Sequence, residues 1–389
     1  MFTMPNKVAD VAVVGAGILG LAHAYLAARQ GKSVVIFERT PRAMGASVRN
    51  FGMIWPIGQP NGAMHQMALR SRELWLEVLD LAGLPSRRHG SLHVAYRADE
   101  AAVIQEFVDR SFELGYECEW LDCEATLARS AALQPDGLLG SLWSKTEFTV
   151  DPRQILAALP KFLEEKYGVR FYFNTPVRSV AHPHVETAND TWQADRVFIC
   201  SGDDFETLYP NEFAASGVNR CKLQMLRTNP QPAGWELGPS LAAGLTLRFY
   251  SSFSVCDSLQ ALRKRIAEEM PEYDRWGIHA LVSQTADGAI TLGDSHEYGL
   301  IVDLFNKEEI DQLILRYTSQ FLRIPDISIA QRWHGVYAKH PDKPYIALEP
   351  EPGVRIVTAP SGSGMTLSFG LAEHLLTEAG VLSKEREHV

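Results

Sequence analysis

Residues 11–38 read VAVVGAGILGLAHAYLAARQGKSVVIFE, and the stretch parses as strand, glycine turn, helix, turn, strand. Val11 to Val14 is a short apolar run of the kind expected of a parallel strand buried on both faces. Gly15-Ala16-Gly17-Ile18-Leu19-Gly20 matches G-x-G-x-x-G at the strand-to-helix turn. Gly15 permits the tight turn, Gly17 the close approach of a pyrophosphate, and Gly20 the packing of helix on sheet. Ile18 and Leu19 open the helix whose N-terminus faces that anion. Leu21 to Gln30 is helical in composition, Gly31 is a stop, and Ser33 to Phe37 is the second strand. It ends on Glu38, placed to accept hydrogen bonds from both hydroxyls of an adenosine ribose. That carboxylate disfavours a 2′-phosphate, although Arg39 beside it softens the exclusion. Strand, helix, second strand and terminal acid in this order point to a dinucleotide. They do not separate NAD from FAD.

A chain of 389 residues has room for two domains, and 46% hydrophobic with 22% charged content is that of an ordinary soluble protein. The net charge of −10 and the absence of a long basic run exclude nucleic acid as an expected partner. Five cysteines (Cys118, Cys123, Cys200, Cys221, Cys256) lack CxxC or Cys/His ligand spacing, so no metal site is expected. Reduced thiols in a cytoplasmic protein are the simplest reading. The few residues before the first strand are too short for a signal peptide. The motif explains the apolar stretch 11–28 better than a membrane span does.

After Glu38, residues 41–54 form a second glycine-bearing segment. Ser47 and Asn50 in it are able to hydrogen-bond a phosphate or a heterocycle, and the apolar residues from Phe51 and Gly52 onward run inward. Helices are expected at 65–82 and 100–114, and a strand at 91–96. Asp151-Pro152 reads as an N-cap followed by proline at the first helical position. Strands follow at 169–173, 177–181 and 197–200, the last stopping at Ser201-Gly202. From about 223 to 330 the character changes, with strands expected at 245–250 and 278–284 and a hairpin at Asp287-Gly288 into 289–293. Helices at 257–269 and 307–322 complete that region. Arg332-Trp333-His334-Gly335 leads through a loop to Asp342, then come a strand at 354–357 and a glycine-rich helix start at Gly362-Ser363-Gly364-Met365-Thr366.

In this order the segments resemble the D-amino-acid-oxidase-like flavoproteins, specifically the glycine oxidase and sarcosine oxidase branch. The resemblance covers nearly the whole chain and implies a mixed α/β fold. A Rossmann-like FAD-binding domain (1–90, 147–222 and 331–389) would carry an inserted antiparallel-sheet substrate domain (91–146 and 223–330). It further implies that Ser47, Asn50 and Gly52 line the flavin side and that Val177 holds the adenine through its backbone. Gly364 to Thr366 would lie at the flavin pyrimidine edge, where a helix N-terminus stabilises the charge of the reduced ring.

The departures bear on substrate. Tyr337 stands where glycine oxidase has its carboxylate-binding arginine, and Thr366 where sarcosine oxidase has a lysine. Gly335 stands at the sarcosine oxidase cysteine that bonds its flavin, so FAD is expected to be non-covalent. The lysine that sarcosine oxidase uses on oxygen falls near Thr291, which leaves open oxygen or another electron acceptor. An unpaired carboxylate in a dry pocket is costly, so a plain α-amino acid is disfavoured. The remaining candidate anchors are Arg248, Arg332, Lys339, His279 and His340, with Tyr250 and Tyr337 as hydroxyl donors and Met53, Ile54 and Trp55 as apolar wall. The pattern also resembles a subgroup associated with bacterial aminophosphonate breakdown. It implies oxidation of a small anionic amine such as 2-aminoethylphosphonate or its N-methyl derivative. An oxidase of glycine or sarcosine and a non-catalytic flavin-binding protein are the alternatives.

Overall fold

The opening stretch folds as a βαβ unit: strand Val8–Val14, helix Ile18–Arg29, strand Val34–Phe37, the two strands parallel. The computed structural model describes residues 7–358 and 362–383. Positions 1–6, 359–361 and 384–389 lie outside the described residues, and with them the ends of the expected segments 1–90 and 331–389.

Val8–Val14 is the centre of an eight-stranded sheet. Parallel neighbours run outward to Thr191–Ile199 and Val354–Thr358 on one side and to Val34–Phe37 and Arg170–Tyr172 on the other. Helices Ile18–Arg29, Pro152–Tyr167 and Gly364–Glu378 share one apolar core with these strands. Gly364–Glu378 is buried on nearly every side because it also packs on the helix Ala63–Ala82. Gly370 makes that contact close: a β-carbon there would stand 2.3 Å from the Met67 carbonyl oxygen. Asp151 caps Pro152–Tyr167 as its sequence indicates, accepting from the Arg153 and Gln154 N–H groups at 2.9 and 3.3 Å.

A second sheet of nine strands, antiparallel except where Ser91–Ala95 meets Ser240–Ala242, stands beside the first. Its longest member, Asn219–Pro230, pairs with Ala289–Gly293 and Glu297–Gly299 on one edge and with Ile329–Lys339 on the other. The loop expected after Gly335 is therefore strand as far as Lys339. The segment ends expected at 222 and 331 fall inside strands of this sheet.

A strand expected at 245–250 is instead a pair of 3-10 turns, Gly244–Arg248 and Ser251–Val255. Two features divert it from a ladder. Thr246 exchanges hydrogen bonds through its hydroxyl with the Ala280 backbone, at 3.2 and 3.1 Å, in place of a strand partner. The Glu100 carboxyl occupies the space beside Gly244, 2.1 Å from where a β-carbon would be. Among the described residues no helix is long and apolar enough to cross a membrane, and no group of three or more His, Cys, Asp or Glu is placed to hold a metal.

Candidate active site

The carboxyl ends of the parallel strands open on a cavity of about 1170 Å³ that runs between the two sheets. That position is where open α/β sheets bind ligands. The volume exceeds the roughly 300–1,000 Å³ of a drug-sized ligand site. Gly15, Gly17, Ile18, Leu19, Glu38, Arg39, Ser47, Asn50, Phe51 and Val177 line one end. Ser201, Gly202 and Gly362 to Thr366 line the middle, and Met53, Tyr250, His279, Tyr337 and Lys339 the other end.

At the first end the glycine turn presents bare backbone. Gly15 has φ +105°, and a β-carbon there would lie 2.4 Å from the Cys200 carbonyl oxygen. Gly17 has ordinary dihedrals, but a β-carbon would meet Ser47 Oγ at 3.1 Å. Ser47 Oγ accepts from the Ile18 N–H at 3.0 Å, so the serine completes the helix start. Glu38 is held by the turn it faces, accepting from the Ala16 N–H at 3.0 Å and from the Thr40 N–H and hydroxyl at 2.9 and 2.6 Å. Arg39 reaches across the rim to Asp204 at 2.6 Å.

Several expected site residues act on the protein rather than on the cavity. Gly20 and Gly52 do not line it. A β-carbon at Gly20 would lie 2.0 Å from the Gly15 carbonyl oxygen, and one at Gly52 1.9 Å from that of Val150. Both glycines are there for backbone packing. Arg248 also points away, because its guanidinium is tied to Asp274 and to the Leu245, Tyr273 and Ile278 carbonyls. Arg332 likewise pairs with Asp311 at 2.7 Å, away from the cavity. Asn50 does line it, yet its amide is engaged by the Ala46 and Ser47 carbonyls and the Gly52 N–H. The strand pleat sends Met53 and Trp55 to the cavity and Ile54 into the core beneath the helices. Thr291 is buried in the second sheet and does not reach the cavity.

The middle is built by the helix start at Gly364. Trp75 Nε1 donates to the Met365 carbonyl at 2.7 Å, the Trp55 N–H to Thr366 Oγ1 at 2.9 Å, and Gln59 Nε2 to Ser363 Oγ at 2.9 Å. Gly362, at φ +80°, lies against Tyr337, with 3.1 Å between its virtual β-carbon and the phenol oxygen. The buried indole nitrogen of Trp55, on the cavity wall, has no partner among the described residues.

The far end is polar. A row crosses the second sheet from Tyr298 through Cys221 to Tyr337, each the ladder partner of the next. Lys339 follows two residues on, its ammonium 5.7 Å from the Tyr298 ring centre, and among the described residues it has no carboxylate partner. His279 is buried against Phe249 and His296, with ring centres 3.8 and 4.6 Å away, and its Nδ1 is unpartnered among the described residues. Burial first, then His296, Arg248 and Lys339, hold its imidazole well below the ordinary histidine range. Burial pushes His296 down to about 4, although its hydrogen bond to the Gly277 carbonyl opposes this. Burial raises the Asp294 carboxyl to about 8. His340 lines the cavity too, its Nδ1 accepting from the Asp342 and Lys343 N–H groups at 3.0 and 2.9 Å.

Asp294, His296 and Tyr298 complete this end, although the sequence reading expected none of them as site residues. The signal was present: a run of polar residues, Asp294-Ser295-His296-Glu297-Tyr298, directly follows a buried strand.

The arrangement fits FAD on its own evidence. It offers a glycine cradle that a side chain would fill, a helix start with no acidic residue in its first turn, and an unpartnered indole N–H. Comparison with known proteins agrees. The family described as "DAO: FAD dependent oxidoreductase" matches residues 10–378. The opine oxidase of Agrobacterium tumefaciens (strain Ach5) matches through one of its subunits, 22% identical over 97% of this chain and 95% of its own. Glycine oxidase of Bacillus licheniformis is 23% identical over 88% of this chain and 85% of its own. The crystal structure of glycine oxidase from Geobacillus kaustophilus superposes with a TM-score of 0.76 at 17% identity, covering 98% of this chain and 99% of that one. The chain belongs to the DAO family of FAD-dependent oxidoreductases, an enzyme family it shares with glycine and opine oxidases.

Proposed function

We propose that the protein oxidises a small anionic amine, N-methylated or primary 2-aminoethylphosphonate, to phosphonoacetaldehyde with release of methylamine or ammonia. The reading places the reaction in the cytoplasm with oxygen or another electron acceptor. It also treats residues 91–146 and 223–330 as the substrate unit on a cofactor unit made by the rest.

One observation carries it: the charge at the far end of the cavity. Lys339 is an ammonium without a carboxylate partner among the described residues; burial holds the neighbouring His279 and His296 imidazoles below the ordinary histidine range and raises the Asp294 carboxyl. A wall with one uncompensated cation and several donors suits an anion. Tyr337 replaces a fork that would grip a planar carboxylate, whereas a tetrahedral phosphonate takes donors from several directions.

When bound, FAD supplies an acceptor for the hydride on the carbon bearing the amine, and hydrolysis of the imine gives the aldehyde. The chain's own part is orientation. Lys339, His279, His296 and Tyr337 hold the anion, Met53 and Trp55 give apolar surface to an N-methyl group, and Ser47 with the glycine turn fixes the cofactor end. Burying one methyl is worth about 0.8 kcal/mol, so the preference for the N-methyl form is modest.

The glycine oxidase relatives favour a second reading, with glycine or sarcosine as substrate. An anaerobic stopped-flow screen of flavin bleaching decides between them. N-methyl-2-aminoethylphosphonate is expected to reduce the flavin faster than glycine, sarcosine or D-alanine, and faster reduction by sarcosine would overturn the phosphonate assignment.

A further inference from the structure

Among the described residues, Asp294 is the one buried acid at the far end of the cavity whose carboxyl has no donor beyond its own backbone N–H. Its Oδ1 is unpartnered and the residue is 6% exposed. The other acids lining the cavity are occupied or open to water. Glu38 is bound by the glycine turn, Asp203 and Asp204 by Arg220 and Arg39, and Asp342 is exposed. The groups packed around Asp294 come from five segments. They are Tyr250, Cys221, Tyr298 and Tyr337, together with His279, whose backbone N–H donates to the Asp294 carbonyl at 2.8 Å. Lys339 and His296 complete the pocket. It therefore sets a lone acceptor beside an array of anion-binding donors, which is the layout a zwitterionic amine requires.

We infer that Asp294 accepts the proton that the substrate's ammonium must lose before a hydride can leave the adjacent carbon. The inference rests on the amine-oxidising reading above. In the step, one N–H bond breaks, its electron pair stays on nitrogen, and an O–H bond forms on Asp294. The exposed lone pair then assists loss of the hydride from the adjacent carbon, for which bound FAD would be the acceptor, and the proton passes to solvent when product leaves. An ordinary carboxylate is a poor acceptor from an ammonium whose pKa is about 10, while burial of Asp294 narrows that gap. The other neighbours titrate elsewhere. Burial holds His279 and His296 low, pushes Cys221 up to about 12 and raises the three phenols.

The test is the pH profile of the second-order rate of flavin reduction, measured anaerobically on the holoenzyme. In the wild type the rate rises near pH 8, as Asp294 ionises, and falls once the free amine loses its own proton. With Asp294→Asn the rate should be about 10²-fold lower at pH 7 and rise only at the amine's pKa, so the deficit shrinks toward pH 10. An unchanged profile in Asp294→Asn overturns the inference. If that variant does not hold FAD, two amines of different basicity serve with the wild type. The ascending limb should stay in place for both, and a limb that follows the amine's pKa overturns the inference. The measurement uses whichever amine reduces the flavin. A win for sarcosine in the substrate screen thus removes the phosphonate assignment and leaves the Asp294 limb to be judged separately.

Discussion

Gly17→Ala separates binding from folding at the glycine turn. Gly17 sits at φ −69° and ψ 176°, ordinary extended backbone, so alanine introduces no dihedral strain. Its β-carbon would stand 3.1 Å from Ser47 Oγ, which must yield by a few tenths of an ångström. That loosens one neutral hydrogen bond, the 3.0 Å bond from the Ile18 N–H, and costs the FAD-free protein about 1 kcal/mol at most. The same methyl projects into the cavity where a pyrophosphate would approach the helix start. A charge-assisted hydrogen bond is worth about 1.5–3 kcal/mol, so losing one weakens FAD roughly 10- to 100-fold. Gly15→Ala is the control with the opposite balance. Its φ of +105° and a 2.4 Å approach to the Cys200 carbonyl oxygen place the damage in the fold itself. Both quantities are accessible: flavin-fluorescence titration of apoprotein for affinity, and urea unfolding of apoprotein for stability. Binding of FAD by Gly17→Ala within about threefold of wild type would show that no phosphate approaches this residue.

Glu147→Ala should destabilise the apoprotein by about 2–5 kcal/mol, because this buried carboxyl accepts from the Ile57 N–H, the Ser91 hydroxyl and the Thr146 hydroxyl and its loss leaves buried donors unsatisfied. Glu147→Gln should cost clearly less in urea unfolding, and an alanine variant within about 1 kcal/mol of wild type would refute the account. Burial depresses the buried histidines His23 and His93 to about 4 and 3. The folded state keeps them neutral while the unfolded chain protonates them below about pH 6.5. Stability is therefore complete above pH 6.5 and lost as pH falls toward 4, on the order of 3 kcal/mol per histidine, and a flat urea midpoint between pH 7 and 5 would contradict this. Lys339→Ala should raise the apparent KM for an anionic amine about tenfold or more and leave an uncharged amine nearly unaffected. Equal loss for both would mark Lys339 as structural.

The cofactor half was legible because its signals are local. A glycine turn, an N-cap aspartate and a second glycine-rich helix start each fix backbone within a few residues, and residues of Gly15 to Glu38 and Gly362 to Thr366 open on one cavity. The substrate half was less so, for two physical reasons. The strand Asn219–Pro230 reads as polar surface, yet Lys222 and Gln224 are fully buried. Gln224 donates to the Lys307 carbonyl and to Asp311 at 3.0 and 2.7 Å, and Lys222 to the Phe305 carbonyl, from a segment some 80 residues away. Its pairing with Ile329–Lys339 is equally remote, so that strand looked like a loop. Arg248 looked like a free cation for the same reason, since its partner Asp274 lies 26 residues on.

The row Tyr298, Cys221, Tyr337 is set by backbone ladders on both edges of one strand, so its geometry is independent of which side chains occupy it. Of the three, Tyr298 and Tyr337 face the cavity while Cys221 is buried between them, so the ladders fix where the two phenols start. A pocket wall of this kind behaves as a set of interchangeable tiles on a rigid frame. A single substitution on such a frame changes what this end of the cavity presents, while the glycine turn, which belongs to the other sheet, keeps its own contacts.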